Sequence, residues 1–282
     1  MRSEQEMLDL ILNTARREGR IRAVILNGSR ANPNAKKDAL QDFDIVYIVR
    51  DLQSFLAEPG WIDRFGERIV MQTPDEMDDP NLVDRQRYAY LMQFCDGNRI
   101  DLTLMTRPAF DAQPPDSLSV LLLDKENNLP PFPPPSETDY LPKPPTELEF
   151  FNCCNEFWWV CPYVAKGLVR QEILYAKHMH DEVVRPQLIR MLTWYIGFKT
   201  DFKLNPGKNG KYFKRYLEAE LWGFLEKTYA DADYEASWQA LFATCRLFSQ
   251  VAQTMAKNFT YPYPLQDDQR VSAYLQELHL YK

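Results

Sequence analysis

The chain reads as an α+β protein, a mixed-sheet domain over residues 1–140 followed by an all-α domain over residues 141–282. Three observations predict this. Up to about residue 105, apolar residues recur in short runs with strand-like spacing. A proline-dense stretch, PPFPPPSETDYLPKPP, then occupies Pro130–Pro145. Beyond it, the apolar residues recur at helical spacing almost to the C-terminus. A chain of 282 residues also exceeds the usual size of a single domain.

Ser3 followed by Glu6 forms a capping box, and Met7, Leu8, Ile11, Leu12 and Ala15 make one apolar stripe, so a helix is expected over 4–17. Ile21–Leu26 is a short apolar run ending in Asn-Gly-Ser, and Asp42–Val49 alternates polar with apolar; both predict strands, the second half-buried. Arg68–Gln72 is a weaker strand. Tyr88–Cys95 and Asn98–Met105 flank Asp96-Gly97, a dipeptide favoured in type I′ hairpin turns. Proline lacks an N–H and keeps the residue before it from helical geometry, so Pro130–Pro145 is neither helix interior nor central strand. It reads as a rigid linker in preference to a partner-binding segment. Thr146 with Glu149 is a second capping box, opening a helix rich in aromatics (Phe150, Phe151, Phe157, Trp158, Trp159). Further helices are expected near 170–184, 186–199, 211–229, 233–257 and 269–279, with a break or kink at Pro186. There is no internal repeat.

With 45% hydrophobic and 13% aromatic residues the chain can bury real cores. Its net charge of −7 disfavours nucleic acid as the main partner, because phosphate binding needs excess Lys and Arg, and suits a neutral or cationic ligand. The five cysteines, Cys95, Cys153, Cys154, Cys161 and Cys245, form no CxxC pair and share no zinc-like spacing with His. Their odd number, and the acids Glu4, Glu6 and Asp9 where a signal peptide would be apolar, predict reduced thiols in a cytoplasm. No run of about twenty apolar residues predicts a membrane span. The residues leave the oligomeric state open, a monomer being slightly favoured.

The chemistry concentrates in Asn27-Gly28-Ser29-Arg30 and Gln41-Asp42-Phe43-Asp44-Ile45. Alternate strand residues share a face, so Asp42 and Asp44 point one way while Phe43 and Ile45 point into the core. Two carboxylates about 7 Å apart on a strand face suit a hard cation such as Mg²⁺, whose shell is completed by substrate phosphates and water. In Ile100-Asp101-Leu102-Thr103-Leu104 the apolar residues share one face and Asp101 takes the other. If that strand lies beside Asp42–Val49, Asp101 completes a triad of acids. The turn at Gly28 and Ser29 permits close backbone approach, and its amides and hydroxyl can cradle phosphates; Arg30 is a further phosphate candidate. Each feature alone is unspecific, but the ordered set is not.

That set resembles the nucleotidyltransferase superfamily related to DNA polymerase β. The segments MRSEQEML, NGSR with QDFDIVY, DGNRIDLTL, Cys-Cys-Asn-Glu-Phe-Trp at 153–158, VVRPQLIRM at 183–191 and GKNGKYFKRYL at 207–217 resemble aminoglycoside 6-adenylyltransferases, also called streptomycin adenylyltransferases, over essentially the whole chain. The resemblance implies an N-terminal nucleotidyltransferase domain and a helical substrate-binding domain. It further implies Mg²⁺-dependent transfer of AMP from ATP to the 6-hydroxyl of streptomycin, releasing pyrophosphate and conferring resistance. Asp42 and Asp44 would hold metal, and Asp101 would be a metal ligand or the general base. The same chemistry on another acceptor, and a non-catalytic nucleotide-binding protein of this fold, are the alternatives.

Lys208 and Lys211, in Gly-Lys-Asn-Gly-Lys, are either triphosphate clamps or lysines of a solvated loop. A polycationic acceptor needs acids, for which Glu156 and Glu182 are the candidates. Helical acids are more commonly just solvated. His178 and His180, at i and i+2, point opposite ways on a helix and make no metal site.

Overall fold

A computed structural model describes residues 1–78, 85–113 and 115–281. The chain divides into two compact units, Met1–Asp139 and Tyr140–Lys282. Helix α1 (Glu4–Arg17) opens the first with a complete capping box, in which Ser3 Oγ accepts the Glu6 N–H and the Glu6 carboxylate accepts the Ser3 N–H at 2.7 Å. There follow β1 (Ile21–Asn27), α2 (Gly28–Ala31), β2 (Phe43–Val49), α3 (Leu52–Leu56), a 3₁₀ turn at Pro59–Phe65, β3 (Arg68–Gln72), α4 (Pro74–Asp78), β4 (Arg87–Phe94), β5 (Arg99–Thr106), α5 (Arg107–Ala112) and β6 (Ser119–Asp124).

Among the described residues the sheet has six strands in the order β3-β4-β5-β2-β1-β6. The β2/β5 pair is parallel and the others are antiparallel, so the sheet is mixed. Phe43, Ile45, Tyr47 and Val49 of β2 and Ile100, Leu102 and Leu104 of β5 are buried in one core with Met7 and Ile11 of α1. Each such side chain contributes about 1.5–3 kcal/mol of apolar burial. Tyr47 Oη donates to the Ile11 carbonyl at 2.7 Å, fixing α1 on that face. The alternate residues take the other face: Ile25, Ile48 and Phe110 form a smaller cluster there, flanked by Val46 and Met105. Asp44 and Asp101 also belong to this second set by alternation.

One expectation for this unit needs correction. The Asp96-Gly97 connection is not a two-residue type I′ turn. Gly97 N–H donates to the Phe94 carbonyl, Phe94 N–H donates to the Asn98 carbonyl, and of the central residues only Gly97 has positive φ (+88°). This is the three-residue loop of a turn closed by a glycine bulge. Asp96 is free to adopt it because its carboxylate is held by Arg2 and by the Asn98 N–H. Strand β6 carries no signal in the sequence, since most of Ser119–Asp124 is only half-buried and lacks alternation. Residues of β3 from Ile69 to Gln72 are exposed, as suits a sheet edge.

The helical unit holds α6 (Glu147–Val169), α7 (Ile173–His178), a π-helical stretch at Met179–Val184, α8 (Arg185–Lys199), a 3₁₀ turn at Lys208–Gly210, α9 (Phe213–Tyr216), α10 (Ala219–Glu226), α11 (Tyr234–Phe259) and α12 (Leu265–His279). Thr146 and Glu149 cap α6 reciprocally. Pro162 lies inside α6, which continues past it. Phe157 stacks on Phe248 of α11 with ring centres 3.6 Å apart, at the middle of this unit's core.

Of the break or kink expected at Pro186, the break does not occur. The chain stays helical from Ile173 to Lys199, and the π stretch is inserted just before the proline, which sits in the first turn of α8. The wider turn is compatible with burial of His180, paired with Thr244 Oγ1 at 2.9 Å, and of Arg185, which donates to Thr228 Oγ1 and carbonyl. The single helix expected over 211–229 is instead α9 and α10, because Leu217 is extended (ψ 143°) between them. No helix among the described residues is long and apolar enough to cross a membrane.

Candidate active site

Two adjacent parallel strands create the site. In their register Asp44 lies directly opposite Asp101, with Phe43 opposite Ile100 and Ile45 opposite Leu102. Asp42 immediately precedes β2. Antiparallel β1 brings Asn27 opposite Asp44, so α2, which begins at Gly28, starts beside the acids. Gly28 has φ +70°, and a Cβ there would press into the Asp44 carboxylate, 3.1 Å from its Cγ. Both facts demand glycine. Its N–H is taken by the Leu118 carbonyl at 3.0 Å, so of the amide donors expected at this turn that of Gly28 is already used.

The acids are under electrostatic load. Burial, then the charges of Asp101 and Asp42, push the Asp44 carboxyl up to about 6. Burial also raises Asp42, against the pull of Arg99 and Arg30. Arg30 is nearly fully buried, its side chain 5% exposed. It donates to the Asp42 and Gln41 carbonyls at 3.1 and 2.6 Å and lies 3.8 Å from the ring centre of Phe43. In this arrangement it holds the loop that delivers Asp42.

Arg99 is not among the residues singled out from the sequence; its signal there is that it stands two residues before Asp101 on the same strand face. Its Nε and Nη2 donate to the two Asp101 oxygens at 2.7 and 2.8 Å, and Nε lies 3.7 Å from Asp42 Oδ2. These contacts raise the already high pKa of its guanidinium. A protein cation thus occupies the middle of the acid group. Among the described residues no three His, Cys, Asp or Glu side chains are drawn together as a ready metal cage. The donors nonetheless fit a hard divalent cation: all are carboxylate oxygens, and a cation would offset both the burial of Asp44 and its repulsion by Asp101 and Asp42.

The remaining candidates belong to the helical unit. Lys208 and Lys211 are exposed around a glycine-rich turn in which Gly207 and Gly210 both have φ +77°, and Lys211 Nζ lies 5.0 Å from the ring centre of Tyr212. Glu156 on α6 and Glu182 in the π stretch are both exposed. Their neighbours differ: Asp181 is engaged by Arg185 at 2.9 Å and Glu149 by its cap, so neither is spare for a ligand. Trp158 is core, whereas Trp159 is 64% exposed.

The family model for streptomycin adenylyltransferase matches residues 1–278. The chain belongs to that family. Membership makes it an adenylyltransferase and implies a nucleotide co-substrate. An aminoglycoside 6-adenylyltransferase of Campylobacter jejuni is 43% identical over 277 residues, 98% of this chain and 95% of the relative. One from Bacillus subtilis is 41% identical over 274 residues, 95% of each. A crystal structure of an aminoglycoside 6-adenyltransferase from Bacillus subtilis, 35% identical and covering 99% of both chains, superposes with a TM-score of 0.48.

Proposed function

We propose that the protein transfers AMP from ATP to the 6-hydroxyl of streptomycin in a Mg²⁺-dependent reaction that releases pyrophosphate and inactivates the antibiotic. The observation that carries this reading is the in-register pairing of Asp44 with Asp101 on parallel strands, with Asp42 and the obligatory Gly28 beside them. The relatives' activity supports the acceptor class. Mg²⁺ held by Asp42 and Asp44 would neutralise phosphate charge and lower the barrier to attack. The protein's own groups do the rest. Ser29 contacts the phosphates, Arg30 keeps Asp42 in place, and Lys208 and Lys211 supply positive charge for the triphosphate. The acceptor oxygen bonds to the α-phosphorus, the bond from that phosphorus to the bridging oxygen breaks, and pyrophosphate leaves with the electron pair. The hydroxyl proton passes to Asp101 if Asp101 is the base. For that, Arg99 must release at least one Asp101 oxygen.

In this reading residues 1–140 carry catalysis and residues 141–282 the acceptor contacts, with Glu156 and Glu182 meeting guanidinium groups. The need for ATP and the free thiols support a cytoplasmic enzyme. The test is pyrophosphate release from ATP and Mg²⁺ with a panel of aminoglycosides, followed by location of the AMP on the product by NMR. Streptomycin should be the strongest substrate and carry AMP at the 6-hydroxyl. Release with kanamycin or spectinomycin alone would reassign the acceptor, and no release with any acceptor would leave a nucleotide-binding protein.

A further inference from the structure

We infer that a cavity of about 360 Å³ on the acid-bearing face of the sheet is the seat of the nucleotide's adenosine part. This rests on ATP being the co-substrate and identifies the residues that hold its uncharged end. The cavity lies wholly within the sheet unit and continues directly from the acids. Val46 follows Asp44 by one side-chain repeat on β2, Thr103 follows Asp101 on β5, and Ile25 precedes Asn27 on β1; all four of Ile25, Asn27, Val46 and Thr103 line it. One repeat is about 7 Å, so a group bonded to a phosphate held at the acids reaches the cavity without a spacer.

The lining selects among ligand chemistries. Ile25, Val46, Met105 and Phe110 provide apolar surface, and Phe110 is braced by stacking on Phe132 with ring centres 6.3 Å apart. Neutral polar groups surround them: Thr103, Gln113, and Asn27, whose Oδ1 accepts from Ser119 Oγ at 2.8 Å so that its Nδ2 is the side offered to a ligand. Apolar faces with neutral donors and acceptors at the edge match a purine and a ribose. They do not match a dicationic acceptor. The cavity carries a cation, Arg87, and its one carboxylate, Asp116, already accepts the Leu118 N–H at 2.7 Å. A guanidinium-bearing ligand would meet repulsion there and find no free pair of acids.

The test compares ATP with tripolyphosphate, which carries the charge of the tail without the nucleoside, by calorimetry on the full chain with Mg²⁺. Thr103→Phe fills the cavity and leaves Asp42, Asp44, Asp101 and Ser29 intact. The Kd for ATP should rise at least about tenfold, with tripolyphosphate and streptomycin binding within about twofold of the original. Unchanged ATP affinity, or an equal loss for tripolyphosphate, overturns the inference, as does weakening of streptomycin alone, which would make the cavity an acceptor site. Should Thr103→Phe lose its fold by circular dichroism, Gln113→Ala at the exposed end of α5 decides the matter. The preference for ATP over CTP should then fall several-fold, and an unaltered preference rejects the cavity. No acceptor chemistry enters the nucleotide arms, so a failure to adenylylate streptomycin would sink the proposed function and leave this inference standing.

Discussion

Asp44 is held in its site at the expense of stability. Its folded carboxyl sits at about 6 against an ordinary 3.8 because it is buried beside two other acids. The folded protein therefore binds this proton more tightly than the unfolded chain, and stability falls as pH rises from about 4 to about 6. Asp44→Asn should abolish transfer, by at least about a hundredfold. At pH 7 without metal it should stabilise the fold, by at most about 3 kcal/mol, and the gain should vanish below about pH 4. Urea denaturation of both proteins at pH 4 and pH 7 measures this; an Asn variant that is active, or no more stable at pH 7, contradicts the account. Arg99 is the counterpart. Arg99→Ala removes the cation between Asp42 and Asp101 and leaves three carboxylates repelling one another. Its melting temperature should drop by several degrees in chelator and recover when Mg²⁺ is added. Equal melting temperatures in chelator would mean that Arg99 is an ordinary surface cation.

The strand-to-helix turn after β1 has one task, to let α2 start against the Asp44 carboxylate. Gly28→Ala meets two obstacles together: a φ of +70° and a Cβ driven into that carboxylate. The left-handed conformation alone costs about 1–2 kcal/mol, and the clash can be relieved only by moving Asp44. The variant should therefore lose activity out of proportion to stability, which kcat and thermal unfolding measured together would reveal. Unchanged kcat would show that the close approach is not needed. The π stretch before α8 illustrates the same logic in the helical unit. Arg185 reaches Thr228 and stacks 3.8 Å from the ring centre of Tyr229, while Asp181 holds its other side. A regular α-helix would rotate these side chains off their partners by part of a turn.

Each unit has its own core, one built on the two-faced sheet and the other on aromatic packing between α6 and α11. Over the whole chain, a net charge of −7 creates a field that would draw a polycationic acceptor and oppose ATP. The KM for streptomycin should thus rise with ionic strength, as the screening length shrinks from about 10 Å at 0.1 M to about 3 Å at 1 M. Glu156→Gln and Glu182→Gln should raise it further at low salt without altering the KM for ATP. Steady-state kinetics at two salt concentrations test both. A streptomycin KM indifferent to salt and to both substitutions would place its recognition elsewhere.

Properties set by near neighbours were legible in the residues. The capping boxes at Ser3 and Thr146 depend on a residue three positions on, and the two faces of β2 on simple alternation, so both could be read from the chain alone. Asp-Gly at 96–97 announced a hairpin but not its turn type, because the choice depended on Arg2 holding Asp96 from ninety-four residues away. Strand β6 carries no pattern of its own and is a strand because β1 offers it a free edge. In the same way, nothing local says that Asp101 lies opposite Asp44 or that a Cβ at Gly28 would press into Asp44. Pairing, desolvation and steric exclusion are relations between segments distant in the chain, and they come into being only when the sheet closes around them.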